Sequence, residues 1–315
     1  MQIFSGSSNQ DLAKKIAKVG DFEWGKVESS QFENGERRVR IDSRRDLPAQ
    51  AGKRDSIGGV IVQSLSHPVD EHLIEFCLLS DALSRDGYTN LVGVIPWLGY
   101  SKQDKVFLPG ESLAAKVIAQ IIQTTKVKKL ITFDLHNRAI TGFFDIPVVE
   151  LSAKQIFLEY FSKKITVSEW VVVAPDEGAV KSSAYYAREL DLPIAYIDKR
   201  RDLKTGRVVV AGMTGDVEGK RVIIIDDMIV TGSTMMESAR YLKKQGAKSV
   251  TVAATHHLYV PGVQEKLEKS AIDEVVVTDS VQHTAYSKQH NRKPQAVSHK
   301  LKILSVAQLI VDELE

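Results

Sequence analysis

The stretch VIIIDDMIVTGSTM, residues 222–235, sets two adjacent acids after four apolar residues, with small and hydroxylated residues close behind. Its start is strand-like. In open parallel sheets, ligands bind beyond the carboxyl ends of strands, which is where Asp226 and Asp227 fall. A loop over 228–233 follows, and a helix is expected from Ser233 or Thr234. Gly232 tolerates unusual backbone angles. The amides of a tight loop and of a helix N-terminus together form an anion site. Thr231, Ser233 and Thr234 add hydroxyl donors. A plain helix cap at Ser233 would give the same local pattern. The acids argue for more, because two carboxylates would repel a phosphate standing alone. A ligand with a phosphate at one end and vicinal hydroxyls at the other, such as a sugar phosphate, suits both features.

Other residues could share in such chemistry. Asp134 and His136 stand two apart at the end of an apolar run, so both can face the same way. His136 reads equally well as a metal ligand or as a hydrogen-bonded core histidine. Asp176 ends a second run, WVVVAPD, and makes a Mg²⁺ site reasonable, since Mg²⁺ prefers oxygen ligands and shares them with substrate phosphates. DKRRDLKTGR, 198–207, is a basic, turn-rich segment. It reads either as a solvated surface run or as a cationic lid, and phosphoryl transfer is catalysed mostly by positioning and charge neutralisation. Phe32, Asn34 and Glu36 in FENGE could stack on and read a base edge, although Asn-Gly is also a strong turn signal.

The elements that must position these residues alternate along the chain. Strand-like runs at 60–64, 91–96, 130–134, 170–176, 193–198, 221–226, 249–254 and 275–279 are separated by helical periodicity at 70–85, 111–123, 178–190 and 233–245. Such alternation predicts an α/β fold of parallel sheets flanked by helices. Two similar domains are expected, 1–148 and 149–300, with the tail 301–315 packing back on the first. The polar stretch 282–300 reads as a loop.

Composition narrows the classes. The chain has 315 residues, 43% hydrophobic and 26% charged, with 42 basic and 40 acidic side chains. That balance points to neither a nucleic-acid binder nor a membrane-surface protein. A lone cysteine, Cys77, allows no intrachain disulfide and fits a reducing, cytoplasmic setting. The N-terminus has no signal-peptide pattern, and no run is long enough to span a bilayer.

The loop at 222–234 resembles the phosphoribosyl-diphosphate loop shared by type I phosphoribosyltransferases and ribose-phosphate pyrophosphokinases. FENGE (32–36), IVQSLSHPVDEHLIEFCLLSDAL (61–83), IPWLGYSKQDK (95–105), FDLHNRAITGFFDIPV (133–148), VVVAPDEGAVK (171–181) and IDKRR (197–201) resemble segments of the pyrophosphokinases alone, in that family's order. The resemblance implies a type I phosphoribosyltransferase-like fold in both domains. It implies transfer of the β,γ-diphosphoryl group of Mg-ATP to the anomeric hydroxyl of ribose 5-phosphate, giving 5-phosphoribosyl 1-diphosphate and AMP. By the same resemblance Lys199 and Arg201 are catalytic. Phe32, Asn34, Glu36, Lys102, Gln103 and Asp104 bind ATP. Asp226, Asp227, Val230, Thr231, Gly232, Ser233 and Thr234 bind ribose 5-phosphate. His136 and Asp176 bind Mg²⁺, with Asp134 and Asp145 as supporting acids. A nucleotide site completed across a subunit interface implies a homo-oligomer built on dimers, with a hexamer among its forms.

Several positions depart from the family's pattern. Lys102 stands for an arginine and loses its bidentate fork. VFLPGES, 106–112, lacks the basic residues that would bind regulatory anions, which argues against phosphate activation and ADP inhibition at that place. Ala179 replaces a glycine, Val149 an acid, and Val230 an aspartate whose side chain contacts the ribose. These departures leave open a non-catalytic regulatory homologue, and the shared 222–234 loop leaves open a phosphoribosyltransferase, which would not need FENGE, GYSKQDK or DLH…GFFDIP.

Overall fold

A computed structural model describes residues 1–42, 58–201, 208–283 and 300–315. The chain divides into two compact units, each with its own sheet.

In the first unit, β1 (Gln2–Ser5), β2 (Glu23–Trp24), β5 (Gly58–Val62), β6 (Asn90–Val94), β7 (Val127–Phe133) and β8 (Val148–Leu151) form one parallel sheet in the order β2-β1-β5-β6-β7-β8. A separate antiparallel hairpin joins β3 (Val27–Gln31) to β4 (Arg37–Ile41). Helices α2 (Val69–Arg85) and α3 (Ala114–Gln123) place Leu73, Phe76, Leu79, Ile118 and Ile122 against Ile61, Leu91 and Leu130 of the strands. Helix α1 (Gln10–Val19) packs on β1 and on α8 (Ala307–Leu314).

The second unit's sheet runs β11-β10-β9-β12-β13-β14-β15. Its strands are β9 (Trp170–Ala174), β10 (Ile194–Arg201), β11 (Val208–Thr214), β12 (Arg221–Ile229), β13 (Ser249–His257), β14 (Glu274–Thr278) and β15 (Leu301–Leu304). All neighbours are parallel except the edge pair β10–β11. Successive strand residues face opposite sides, and the core separates accordingly. Val222 and Ile224 of β12 pack with Met235, Ala239 and Leu242 of α6 (Ser233–Lys244) and with Val263 and Leu267 of α7 (Val263–Glu268). Ile223 and Ile225 pack with Phe157 and Phe161 of α4 (Lys154–Ser162) and Tyr186 of α5 (Val180–Glu189). Both faces are covered, which is why these strands read as unbroken apolar runs.

The α/β class with parallel sheets and flanking helices holds. The expected border at 148/149 falls early, because β8 pairs with β7 and the first unit runs to Ser152. The expected tail divides in two. Residues 301–304 pair with β14 in the second unit, whereas Ser305–Glu315 returns to the first. The returning chain is fastened there by Asp279. Its carboxylate accepts from Lys15 Nζ (2.7 Å) and from the Val306 amide (2.9 Å), and its carbonyl accepts from Asn9 Nδ2 (3.1 Å). Of the polar stretch 282–300, all but its ends lies outside the described residues.

Candidate active site

In the second unit, β12 does not stop at Asp226. It stays paired with β13 through Met228↔His256 and Ile229↔His257, so the loop proper is Val230–Gly232 and not 228–233. Met228 and Ile229 are buried, which explains two apolar residues beside two acids. The helix begins at Ser233 with Gly232 as its cap, not Ser233. Gly232 holds φ +69°, and a Cβ there would stand 3.0 Å from Leu267 Cδ2. Only glycine meets both demands at low cost. The first-turn amides of α6 then face outward without intrahelical acceptors, and no acid sits in that turn. Thr231 and Ser233 share a hydroxyl contact of 2.9 Å at its rim. This cradle suits an anion. Val230 is half-buried beside it, with exposed Thr231 next in the chain.

The acids stand just before the cradle. The Asp227 amide donates to Asp226 Oδ1 at 2.9 Å. Burial, and next the charge of Asp227, push the Asp226 carboxyl up to about 7. A carboxyl poised there can either donate or accept a hydrogen bond near neutral pH.

Asp176 follows the end of β9, and its Oδ1 accepts from the Ala179 amide at 3.1 Å. Its charge is felt at Asp226 and at Lys199. Strand β10 pairs with β9 only as far as Tyr196, then continues with β11 as a two-stranded ribbon. The ribbon carries Lys199, so the basic segment begins as strand and not as loop. Lys199 Nζ donates to Ser238 Oγ of α6 at 3.0 Å. Burial lowers the lysine's proton affinity, while Asp176, Glu237 and Asp226 oppose that shift. Arg201 ends β10; its side chain and residues 202–207 lie outside the described set.

The first unit holds the remaining candidates. The β3–β4 hairpin ends in FENGE, with Phe32 53% exposed at the tip. The turn is closed by Phe32 N–H to Glu36 O (2.8 Å) and Gly35 N–H to Phe32 O (2.9 Å), and Asn34 Oδ1 accepts from the Glu36 amide (3.1 Å). Asn34 is thus partly spent on the turn. Lys102 and Gln103 are exposed, and Asp104 accepts from Asn137 Nδ2 at 2.5 Å, which joins the GYSKQDK and DLHN segments. His136 is exposed beyond β7. Asp134, at φ +30°, accepts from Ser152 Oγ at 2.7 Å. Asp145 is exposed, and its amide donates to Gln123. His136 and Asp176 belong to different units. Among the described residues no group of three or more His, Cys, Asp or Glu is gathered to hold a metal.

Three features escaped the sequence reading. Ser238 is one, a single serine in an amphipathic helix with no spacing to mark it. Another is the buried carboxylate of Glu75 on α2. It accepts from the Ser7 amide (3.0 Å), Ser7 Oγ (2.6 Å), Gln63 Nε2 (2.6 Å) and Ser29 Oγ (2.5 Å), with Arg37 Nη1 at 3.6 Å. Burial works to raise its proton affinity, but the bonds from Ser29, Ser7 and Gln63 outweigh it and hold the carboxyl below its usual range. Ser29 and Arg37 flank the FENGE tip, so Glu75 fastens the hairpin to α2. The third is Glu111, whose Oε2 accepts from the amides of Phe107 (2.9 Å) and Leu108 (3.0 Å). In VFLPGES those loop amides are already occupied by a carboxylate of the same loop.

Comparison with known proteins decides the family. Residues 1–125 match the model of the N-terminal domain of ribose phosphate pyrophosphokinase, and residues 143–291 match that of the phosphoribosyl transferase domain. The chain is 39% identical to a ribose-phosphate pyrophosphokinase of Fusobacterium nucleatum over 282 residues, 89% of this chain and 86% of the relative. The chain belongs to the ribose-phosphate pyrophosphokinase family. A member from Helicobacter hepaticus is 36% identical over 315 residues, covering 99% of this chain and 94% of that one. The crystal structure of phosphoribosylpyrophosphate synthetase from Mycobacterium smegmatis superposes with a TM-score of 0.82 at 30% identity, covering 99% of this chain and 97% of that one. The protein is accordingly an enzyme of this family, a kinase-type transferase of nucleotide biosynthesis. The N-terminal match favours this family over the phosphoribosyltransferases alone. Among the described residues, no helix is long and apolar enough to cross a membrane.

Proposed function

We propose that the enzyme makes 5-phosphoribosyl 1-diphosphate and AMP from ATP and ribose 5-phosphate. The observation that carries this reading is the gathering of Asp226, Asp227, Asp176 and Lys199 around an amide cradle at one end of the second sheet. The 5-phosphate takes the first-turn amides of α6 and the hydroxyls of Thr231, Ser233 and Thr234. The ribose hydroxyls donate to Asp227 and exchange hydrogen bonds with Asp226. The anomeric oxygen attacks the β-phosphorus, the bond to the oxygen bridging the α- and β-phosphorus breaks, AMP leaves with that oxygen, and the hydroxyl proton is released. Lys199 and Arg201 neutralise the charge that grows on the transferring group.

Phe32, Asn34 and Glu36, with Lys102, Gln103 and Asp104, are assigned to the nucleotide. Asn34 contributes mainly through the turn it closes. His136 and Asp176 are assigned to Mg²⁺, with Asp134 and Asp145 in support. The carboxylate of Asp176 is a hard donor that suits this ion, and a cation carried on substrate phosphates needs no protein cage. When bound, it supplies charge neutralisation at the phosphates. We assign the enzyme to a homo-oligomer in which a neighbouring copy completes the nucleotide site.

Incubating the pure protein with Mg²⁺, ATP and ribose 5-phosphate should give AMP and phosphoribosyl diphosphate in equal amounts. Lys199→Ala should lower the rate by roughly a hundredfold or more, the size of effect seen for lost transition-state donors. AMP formation no faster than in Lys199→Ala would refute the reading.

A further inference from the structure

We propose that Ser238 is a positioning residue for Lys199, its buried hydroxyl docking the lysine ammonium on the helix that supplies the phosphate cradle. The inference rests on the catalytic reading of Lys199 given above.

A serine inside a helix commonly donates to the carbonyl four residues back, and Ser238 Oγ does so to Thr234 O at 2.8 Å. That bond uses the hydroxyl's only proton and leaves its lone pairs to accept. Lys199 Nζ fills one of them at 3.0 Å. Helix packing does not require this second bond. Ser238 is 0% exposed, so its oxygen has no water to turn to. The relay Lys199–Ser238–Thr234 runs from the ribbon into the first turn of α6, where Thr234 is also a candidate phosphate contact.

The geometry also decides where the ammonium stays. A lysine is a point charge on a flexible four-carbon stem. Asp176, Glu237 and Asp226 all attract it. Left to those attractions, it would settle against a carboxylate and quench a group meant for a sugar hydroxyl or a cation. The neutral oxygen of Ser238 holds the charge near the acids without spending one of them. The lysine enters the reaction already half-buried and placed, which is how preorganised charge is most effective.

Ser238→Ala tests this. The methyl fills almost the same space, so the fold should keep its melting temperature. We expect kcat for AMP formation to fall about tenfold, equivalent to about 1.4 kcal/mol, with KM for ribose 5-phosphate and ATP unchanged. A second arm needs no turnover. Reductive methylation of the full-length protein, read by mass spectrometry, should modify Lys199 several-fold faster in Ser238→Ala than in the wild type. Equal labelling, or a loss confined to KM, would overturn the dock while leaving the synthetase reading intact. A wild-type enzyme that makes no AMP would sink that reading, and the labelling arm would still decide the dock.

Discussion

Replacing Glu75 by glutamine should loosen the β3–β4 hairpin, to which we assign the nucleotide, and the structure shows why. Glu75 is fully buried. Its Oε2 receives the Ser7 amide and Gln63 Nε2, and neither donor can reverse its polarity: a backbone N–H is fixed, and Gln63 Oε1 is engaged by the Ser8 amide at 3.2 Å and Ser8 Oγ at 2.9 Å. The new carbonyl must therefore take the Oε2 place. Its NH₂ is then forced toward Ser29 Oγ and Arg37 Nη1, the two groups that tie down the hairpin. Ser29 can rotate and accept, but Arg37 loses its buried counter-charge and retains the exposed Glu71, at 2.5 Å. Losing one charge-assisted bond and a buried pairing should cost about 2–3 kcal/mol, or roughly 5–10 °C in the first unit's melting temperature. The loss should depend on pH. The Glu75 carboxyl is held below its usual range in the fold. Its stabilisation is therefore full above the unfolded carboxylate's titration and disappears as pH falls through the folded value. The gap between wild type and Glu75→Gln should be widest near neutrality and close in acid. Steady-state kinetics complete the test. KM for ATP should rise roughly tenfold, as a tip misplaced by about an ångström would give, while KM for ribose 5-phosphate stays unchanged. Equal effects on both substrates, or an unchanged melting temperature at neutral pH, would refute the reasoning.

Two further outcomes follow from the second unit. Gly232→Ala places a Cβ at φ +69° and 3.0 Å from Leu267 Cδ2. It should destabilise that unit by about 1–3 kcal/mol and raise KM for ribose 5-phosphate, which calorimetry and initial rates would show; wild-type affinity would remove the cradle from that loop. Asp226→Asn should reduce activity yet stabilise the ligand-free protein at pH 7. The wild-type carboxyl is raised to about 7, so the stability it contributes is full below the unfolded value and is lost as pH climbs through 7. Chemical denaturation across pH 4 to 8 should therefore show a decline in the wild type that Asp226→Asn lacks.

The alternation of elements and the amide cradle were legible in the sequence because both leave local signatures. Buried parallel strands read as apolar runs such as Val222–Ile225, and a glycine that must adopt a left-handed conformation stands out beside hydroxylated residues. The run of β12 past the acids was not legible, since two carboxylates look like a strand's end until the pairing of Met228 with His256 is seen. Glu75 was hidden for a different reason. Its partners lie 12 to 68 residues away in sequence, and a glutamate on a helix ordinarily faces water. Ser238 was invisible for a third: its meaning depends on the β10–β11 ribbon, which the basic, turn-rich composition of 198–207 does not announce.

The last fifteen residues serve both units, with β15 closing an edge of one sheet and α8 packing beside α1 in the other. Translation makes α1 long before α8, and every strand of the second sheet is made between them. Helix α1 therefore gains this neighbour only after the second unit's strands have been translated, which couples completion of the first unit to synthesis of the second.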